Sequence, residues 1–260
     1  MRGTVPLRET KDVLPRLAPG RRFARAATMR ASRLAALTLT AYGLIGPHPA
    51  AAFWLLGFST ADTLPAGAFS AIAGTGGQYS SVGDPHQTSF TPFLPHAGLR
   101  VGIADGWDVG YRLTQVALPF SSVGPSLGGE IDLKHRLTAP DSPWQAAVVL
   151  GVAYSYLDIS DQSRSAWSPG ADLIVSRAIT PRYAAISELR YVYTTIPTAA
   201  GGTNANYLNA TGVDFGMRIA LTSTVSVVPE VGLFDFAGHL ESHGANGIAA
   251  QYGAVLAFRF

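Results

Sequence analysis

From about residue 67 to the C-terminal Phe260, apolar side chains alternate with polar or small ones in stretches of roughly 9–14 residues. No segment beyond residue 52 carries an apolar period of 3.6, and no apolar run there approaches the ~18 residues of a membrane-crossing helix. Period two means that successive side chains point to opposite faces of a strand. A chain built almost entirely this way is restricted to sheets. The clearest case runs from His96 to Leu113. Leu99, Val101 and Ile103 share one face, and Gly98, Arg100 and Gly102 the other. Asp105-Gly106 then makes a tight turn, and the return strand sets Trp107, Val109, Tyr111 and Leu113 against Asp108, Gly110, Arg112 and Thr114.

The pattern recurs. Ile131, Leu133 and Leu137 oppose Glu130, Asp132, Lys134 and Arg136, with His135 on the apolar side. Leu189, Tyr191 and Tyr193 oppose Glu188 and Arg190. Val213, Phe215 and Met217 oppose Asp214 and Arg218, and Val231 and Leu233 oppose Glu230 and Gly232. The closing stretch sets Tyr252, Leu256, Phe258 and Phe260 against Gln251, Gly253 and Arg259. In the stretch from Ala171 to Ile179 the faces are blurred by Ile174 and Arg177.

Ten strands are expected, near 67–79, 92–104, 107–119, 126–137, 145–157, 170–179, 183–195, 208–221, 225–236 and 248–260. Eight or twelve are the alternatives. An even count and strands of this length fit an antiparallel transmembrane β-barrel. Connections alternate between short (Asp105-Gly106, Thr138 to Trp144, 180–182, 222–224) and longer (80–91, 120–125, 158–169, 196–207, 237–247). Short periplasmic turns and long external loops produce that asymmetry and place both chain ends in the periplasm. Two aromatic girdles are expected: Trp107, Trp144, Tyr183, Phe258 and Phe260 beside the short turns, and Phe120, Tyr156, Tyr193, Tyr207 and Phe234 towards the loops. A soluble sandwich or lipocalin-like barrel would turn the apolar faces inward. The glycine-rich and charged faces would then have to form its whole outer wall.

The leader agrees with export. Arg30 and Arg33 precede an apolar run from Leu34 to Ile45, and Ala50-Ala51-Ala52 forms a small-residue cleavage pattern. Residues 1–52 are therefore expected to be an N-terminal extension and cleavable signal peptide, 53–66 a periplasmic N-terminal segment, and 67–260 the barrel, with the start codon at Met1 or Met29. Nine of the 19 Lys/Arg and two of the 17 Asp/Glu lie in 1–52. The remainder holds ten basic and fifteen acidic residues, which removes the electrostatic basis for nucleic-acid binding. With no cysteine, disulfides, thiolate chemistry and Cys-based zinc sites are excluded.

The segment Thr60-Ala61-Asp62-Thr63-Leu64-Pro65-Ala66-Gly67, the hairpin from Gly98 to Gly110 and the stretch from Gly129 to Leu137 resemble the outer-membrane barrel family named for the meta-pathway of phenol degradation. The resemblance covers most of 60–260 and supplies no catalytic residues. It implies a Gram-negative outer-membrane protein that assists passage of small apolar or aromatic compounds. It also implies recognition of the terminal aromatic pattern at Phe260 by the barrel-insertion machinery.

With the aliphatic faces towards lipid and lipopolysaccharide, the lumen is expected to carry Arg100, Asp108, Arg112, Glu130, Asp132, Lys134, Arg136, Glu188, Arg190, Asp214, Arg218, Glu230 and Arg259. Seven cations against six anions predict a near-neutral, interlocked network rather than a charged conduit. A lumen of eight strands is just filled by side chains, and ten lie near that limit. The expected role is non-enzymatic, structural or a narrow passage for small molecules, with no cofactor and no metal. The alternative is a lipid hydrolase similar to lipid A deacylases, using Ser242 with His239 or His243 around Glu241 in the last external loop.

Overall fold

The computed structural model describes residues 57–82, 87–116, 126–159, 162–196, 206–240 and 243–260. The leader lies outside them. The described chain forms β1 (Phe69–Val82), β2 (Gln87–Ala104), β3 (Trp107–Val116), β4 (Ser126–Arg136), β5 (Trp144–Ile159), β6 (Gln162–Ala178), β7 (Tyr183–Ile196), β8 (Asn206–Ala220), β9 (Val225–Leu240), a two-residue rung β10 (His243–Gly244) and β11 (Gly247–Arg259). Each long strand pairs antiparallel with its neighbours. β11 then returns to β1, from Ser70 opposite Arg259 to Val82 opposite Gly247. Ten long strands close into an all-β barrel with no open edge.

The two faces have opposite chemistry. Leu233 is 65% exposed and Ile248 66%, and Leu99, Leu150 and Ile131 also point outward. Glu188 and Asp214 are each 1% exposed, Lys134 2%, and Asp108 fully buried. A soluble protein arranges its residues the other way round. An apolar outer wall of this extent is stable only against hydrocarbon, and a closed barrel lets strands cross a bilayer with every rung satisfied. The alternation is thus resolved in favour of a transmembrane barrel.

Short turns join β2–β3, β4–β5, β6–β7 and β8–β9 at one end, where β1 begins and β11 finishes. In the first, Gly106 takes φ of 74°, a left-handed conformation that glycine adopts without steric cost. At this end Trp107, Trp144, Tyr183 and Phe260 are exposed, and Phe69 stacks on Phe260 with ring centroids 4.7 Å apart. His135, out of phase by polarity, faces outward and stacks on Trp107 at 3.9 Å. At the other end Tyr193 stacks on Tyr207, while Tyr79, Phe90 and Tyr252 form a second aromatic group. Phe234 does not belong to that girdle. It is inward-facing and 2% exposed, as its phase against Leu233 and Val231 requires. Phe120 and the Tyr156 side chain lie outside the described residues.

Several strands run further towards the loop end than expected. β6 starts at Gln162, so much of the loop expected at 158–169 is hairpin, paired with β5 out to Ile159 opposite Gln162. Pro169 and Gly170 have turn-like composition, but Pro169 sits within the strand, and β6–β7 pairing is interrupted between Trp167 and Gly170. Proline lacks the N–H that rung would need. β9 likewise continues to Leu240.

Candidate functional site: a charged lumen filled by the N-terminal segment

Period two turns every second residue of each strand inward, and the barrel gathers these residues around one axis. Arg100 on β2 joins Asp108 on β3 to Asp132 on β4, the latter at 2.5 Å. Arg112 pairs with Glu130, and Arg136 with Asp105 at the first short turn, at 3.0 Å. Arg190 on β7 donates to Asp172 at 2.6 Å and to Glu188 at 2.5 Å. Arg218 and Arg259 lie towards the short-turn end, where they line a common cavity with Arg100, Arg112 and Lys134. Arg259 remains exposed. All thirteen expected lumen residues thus lie on the inward phase.

Asp172 was absent from the expected set. Its strand has Ile174 inward, 1% exposed, and Arg177 outward with its guanidinium 4.9 Å from the Trp144 ring. Each reverses the polarity rule for its face, so the phase was hidden. Asp172 and Ser176, flanking Ile174 at a spacing of two, were the available signal. With Asp172 the inward charges of the wall number seven of each sign among the described residues. His96, Gln78 and Gln251 also face inward and are buried, and Gln251 Nε2 donates to Gln78 Oε1 at 2.7 Å.

Residues 53–66 were expected to be a periplasmic segment ahead of the barrel, and the structure corrects this for most of the part it describes. Of these, Gly57 to Leu64 run inside the barrel. The Phe58 N–H donates to Glu230 at 2.8 Å, the Ala61 N–H to Ser176 Oγ at 3.1 Å and the Leu64 N–H to Asp108 at 3.1 Å. Lys134 Nζ donates to Ser59 Oγ at 3.0 Å, to the Thr60 carbonyl at 3.1 Å and to the Asp62 carbonyl at 2.7 Å. The Phe58 ring packs 5.7 Å from His96, and Ala61 is fully buried. The cavity left between this segment and the wall is about 70 Å³, space for a few water molecules.

Towards the loop end the inward residues are mixed: Leu208, Ala210, Phe234, Phe236 and Ala249 are apolar, while Ser80, Ser168 and Thr194 are polar, the last two hydrogen-bonded to each other at 3.0 Å. Of the alternative hydrolase set, His239 points outward with its ring 5.8 Å from Tyr207, and the backbone of Gly244 pairs with it. Glu241, Ser242 and the His243 side chain lie outside the described residues. Among the described residues no three His, Asp or Glu side chains converge as metal ligands.

No family model and no curated protein sequence matches the chain. Solved structures do share its fold. An outer-membrane channel from Pseudomonas putida F1 superposes with a TM-score of 0.51 at 10% identity, covering 77% of this chain and 98% of that one. The outer-membrane protease OmpT of Escherichia coli gives 0.46 at 10% identity over 77% and 100% of the two chains. The Pseudomonas putida toluene transporter TodX gives 0.36 at 9% identity over 81% and 95%. At 10% identity what this chain shares with that channel is the fold, a closed antiparallel outer-membrane barrel.

Proposed function

We propose that this chain is an outer-membrane channel for small solutes, kept shut by its own N-terminal segment. The observation that carries this reading is the manner in which Gly57 to Leu64 are held. They pair with no strand of the sheet. Their described hydrogen bonds with the wall all run through wall side chains, each worth about 1 kcal/mol net to a neutral group and about 1.5–3 kcal/mol to a charged one. Such a segment can leave without breaking a rung of the barrel. The resemblance to the phenol-pathway barrel family supports passage as the role, and the inward Leu208, Phe234 and Phe236 offer apolar contacts to a solute with an aromatic or aliphatic body. The short turns, and with them both chain ends, belong on the periplasmic side.

The test is a full-length variant in which the segment no longer fits. Ala61 is fully buried, so Ala61→Gln places a long neutral side chain where there is no room. In planar bilayers the wild type is expected to be nearly silent and Ala61→Gln to conduct. Silence from both, with folding verified by heat-dependent migration, would leave the barrel a structural role only.

A further inference from the structure

The lumen is balanced in total charge but not in space. Asp172, Glu188, Asp214 and Glu230 sit on the adjacent strands β6 to β9, where Arg190 bonds the first two. Cations gather nearer the short turns. There the cavity of about 70 Å³ is lined by Arg100, Arg112, Lys134, Arg218 and Arg259, against one carboxylate, Asp62 of the N-terminal segment. Three of these cations are matched: Arg100 by Asp108 and Asp132, Arg112 by Glu130, and Lys134 by Asp108 and the oxygens of the segment. Arg218 and Arg259 enter no ion pair among the described residues. Glu230, opposite Gly216, is the diagonal neighbour of Arg218, but the hydrogen bond it accepts comes from the Phe58 N–H. Asp62 accepts from Thr60 Oγ1 at 3.2 Å and from neither guanidinium.

The floor of this recess is made of short side chains. Ser226 on β9 stands opposite Ala257 on β11, and Ser70 on β1 lies between Arg259 and Arg100 in the register of its two neighbours. All of them line the cavity, so nothing long separates Arg218 on one side from Arg100 and Arg112 on the other. Arg218 Nε is buried without a hydrogen-bond partner among the described residues. Arg259 is exposed, which sets the recess at an edge that solvent reaches. A confined space with two unmatched guanidiniums is costly as it stands, and an anion offsets the cost. The planar fork of an arginine matches two oxygens of a carboxylate or a phosphate, and the two serine hydroxyls add donors. Space for a few waters is also space for about one such group in their place.

We propose that this recess binds a small oxyanion, a carboxylate or a phosphate, held by Arg218 and Arg259 with Ser70 and Ser226 and seated against the N-terminal segment. The site belongs to the closed protein and does not depend on passage.

The experiment is calorimetric titration of the full-length wild type, folded in detergent, with sodium phosphate and separately with sodium acetate, the ionic strength held constant with NaCl. Saturable binding at one site is expected for at least one of them. The tighter of the two identifies a phosphoryl or a carboxylate ligand. Arg218→Gln and Arg259→Gln should each weaken it about tenfold, the scale of one charge-assisted bond. Arg182→Gln, in the β6–β7 turn and outside the recess, should leave it unchanged. No saturable binding of either anion would overturn the proposal, as would equal losses in all three variants, the mark of general charge attraction. Should Arg218→Gln fail to fold, the exposed Arg259 and a built-in anion decide. Ser226→Asp places a carboxylate in the recess, so it should melt higher than wild type without phosphate and gain nothing from adding it. Undiminished phosphate or acetate binding by Ser226→Asp would refute the site.

Discussion

The Lys134 ammonium lies among four oxygens: Ser59 Oγ, the Thr60 and Asp62 carbonyls, and Asp108 Oδ2 at 3.7 Å. A primary ammonium has three donors, and three of these oxygens lie within hydrogen-bond distance. Lys134→Met keeps the stem and removes the donors, stranding two buried carbonyls of the N-terminal segment. The expected cost is about 1–3 kcal/mol, read by urea unfolding of liposome-reconstituted protein. An unchanged midpoint would mean that the segment is not held as described. Gly212 and Gly232 are needed for a different reason: the Phe234 ring lies where a side chain on either would go. Gly212→Val should therefore destabilise the barrel by about 1–3 kcal/mol in the same assay, and a smaller ring in Phe234→Leu should recover part of the loss. Polarity announced Lys134 as inward. Nothing local announced that Gly212 must be bare, because the ring above it comes from the neighbouring strand.

Each strand divides into a lipid half and a lumen half. Leu150, six residues into β5, is outward-facing and paired with Leu133 near mid-height. Leu150→Arg should cost about 2–4 kcal/mol in bilayers, the depth-dependent penalty for a cation on a barrel's lipid face. A negligible effect in a folded, bilayer-inserted protein would mean that this face does not lie in hydrocarbon. The closing strand carries a separate expectation. Phe260 exchanges backbone hydrogen bonds with Phe69 across the seam and stacks on its ring. Phe260→Ala should lose about 1 kcal/mol of ring packing and should also slow assembly in cells, if insertion machinery reads the terminal aromatic. Pulse-chase of heat-resistant barrel separates the two: a stability loss without a delay in assembly would discard the recognition role.

At the scale of the whole molecule, closure makes the barrel cooperative. Every long strand has two partners, so none can leave without exposing rungs to hydrocarbon. The folded protein is expected to resist SDS until heated and to migrate faster unboiled than boiled. A single migration position under both conditions would contradict a closed barrel. The charge division within the lumen also exists only at this scale. Asp172, Glu188, Asp214 and Glu230 come from four strands, and no one of these is exceptionally acidic.

The sequence by itself determined which residues face lipid and which face the lumen, and hence the architecture, because polarity and a two-residue period are local properties. Its errors had local causes too. Proline and glycine at 169–170 imitated a turn, and Ile174 and Arg177 each broke the polarity of its face. Tertiary structure alone decided which inward charges meet, where they fail to balance, and that Gly57 to Leu64 fill the space among them. The Phe58–Glu230 hydrogen bond joins residues 172 positions apart. The segment that makes it has no period to read, since it is ordered by the wall around it and not by its own alternation.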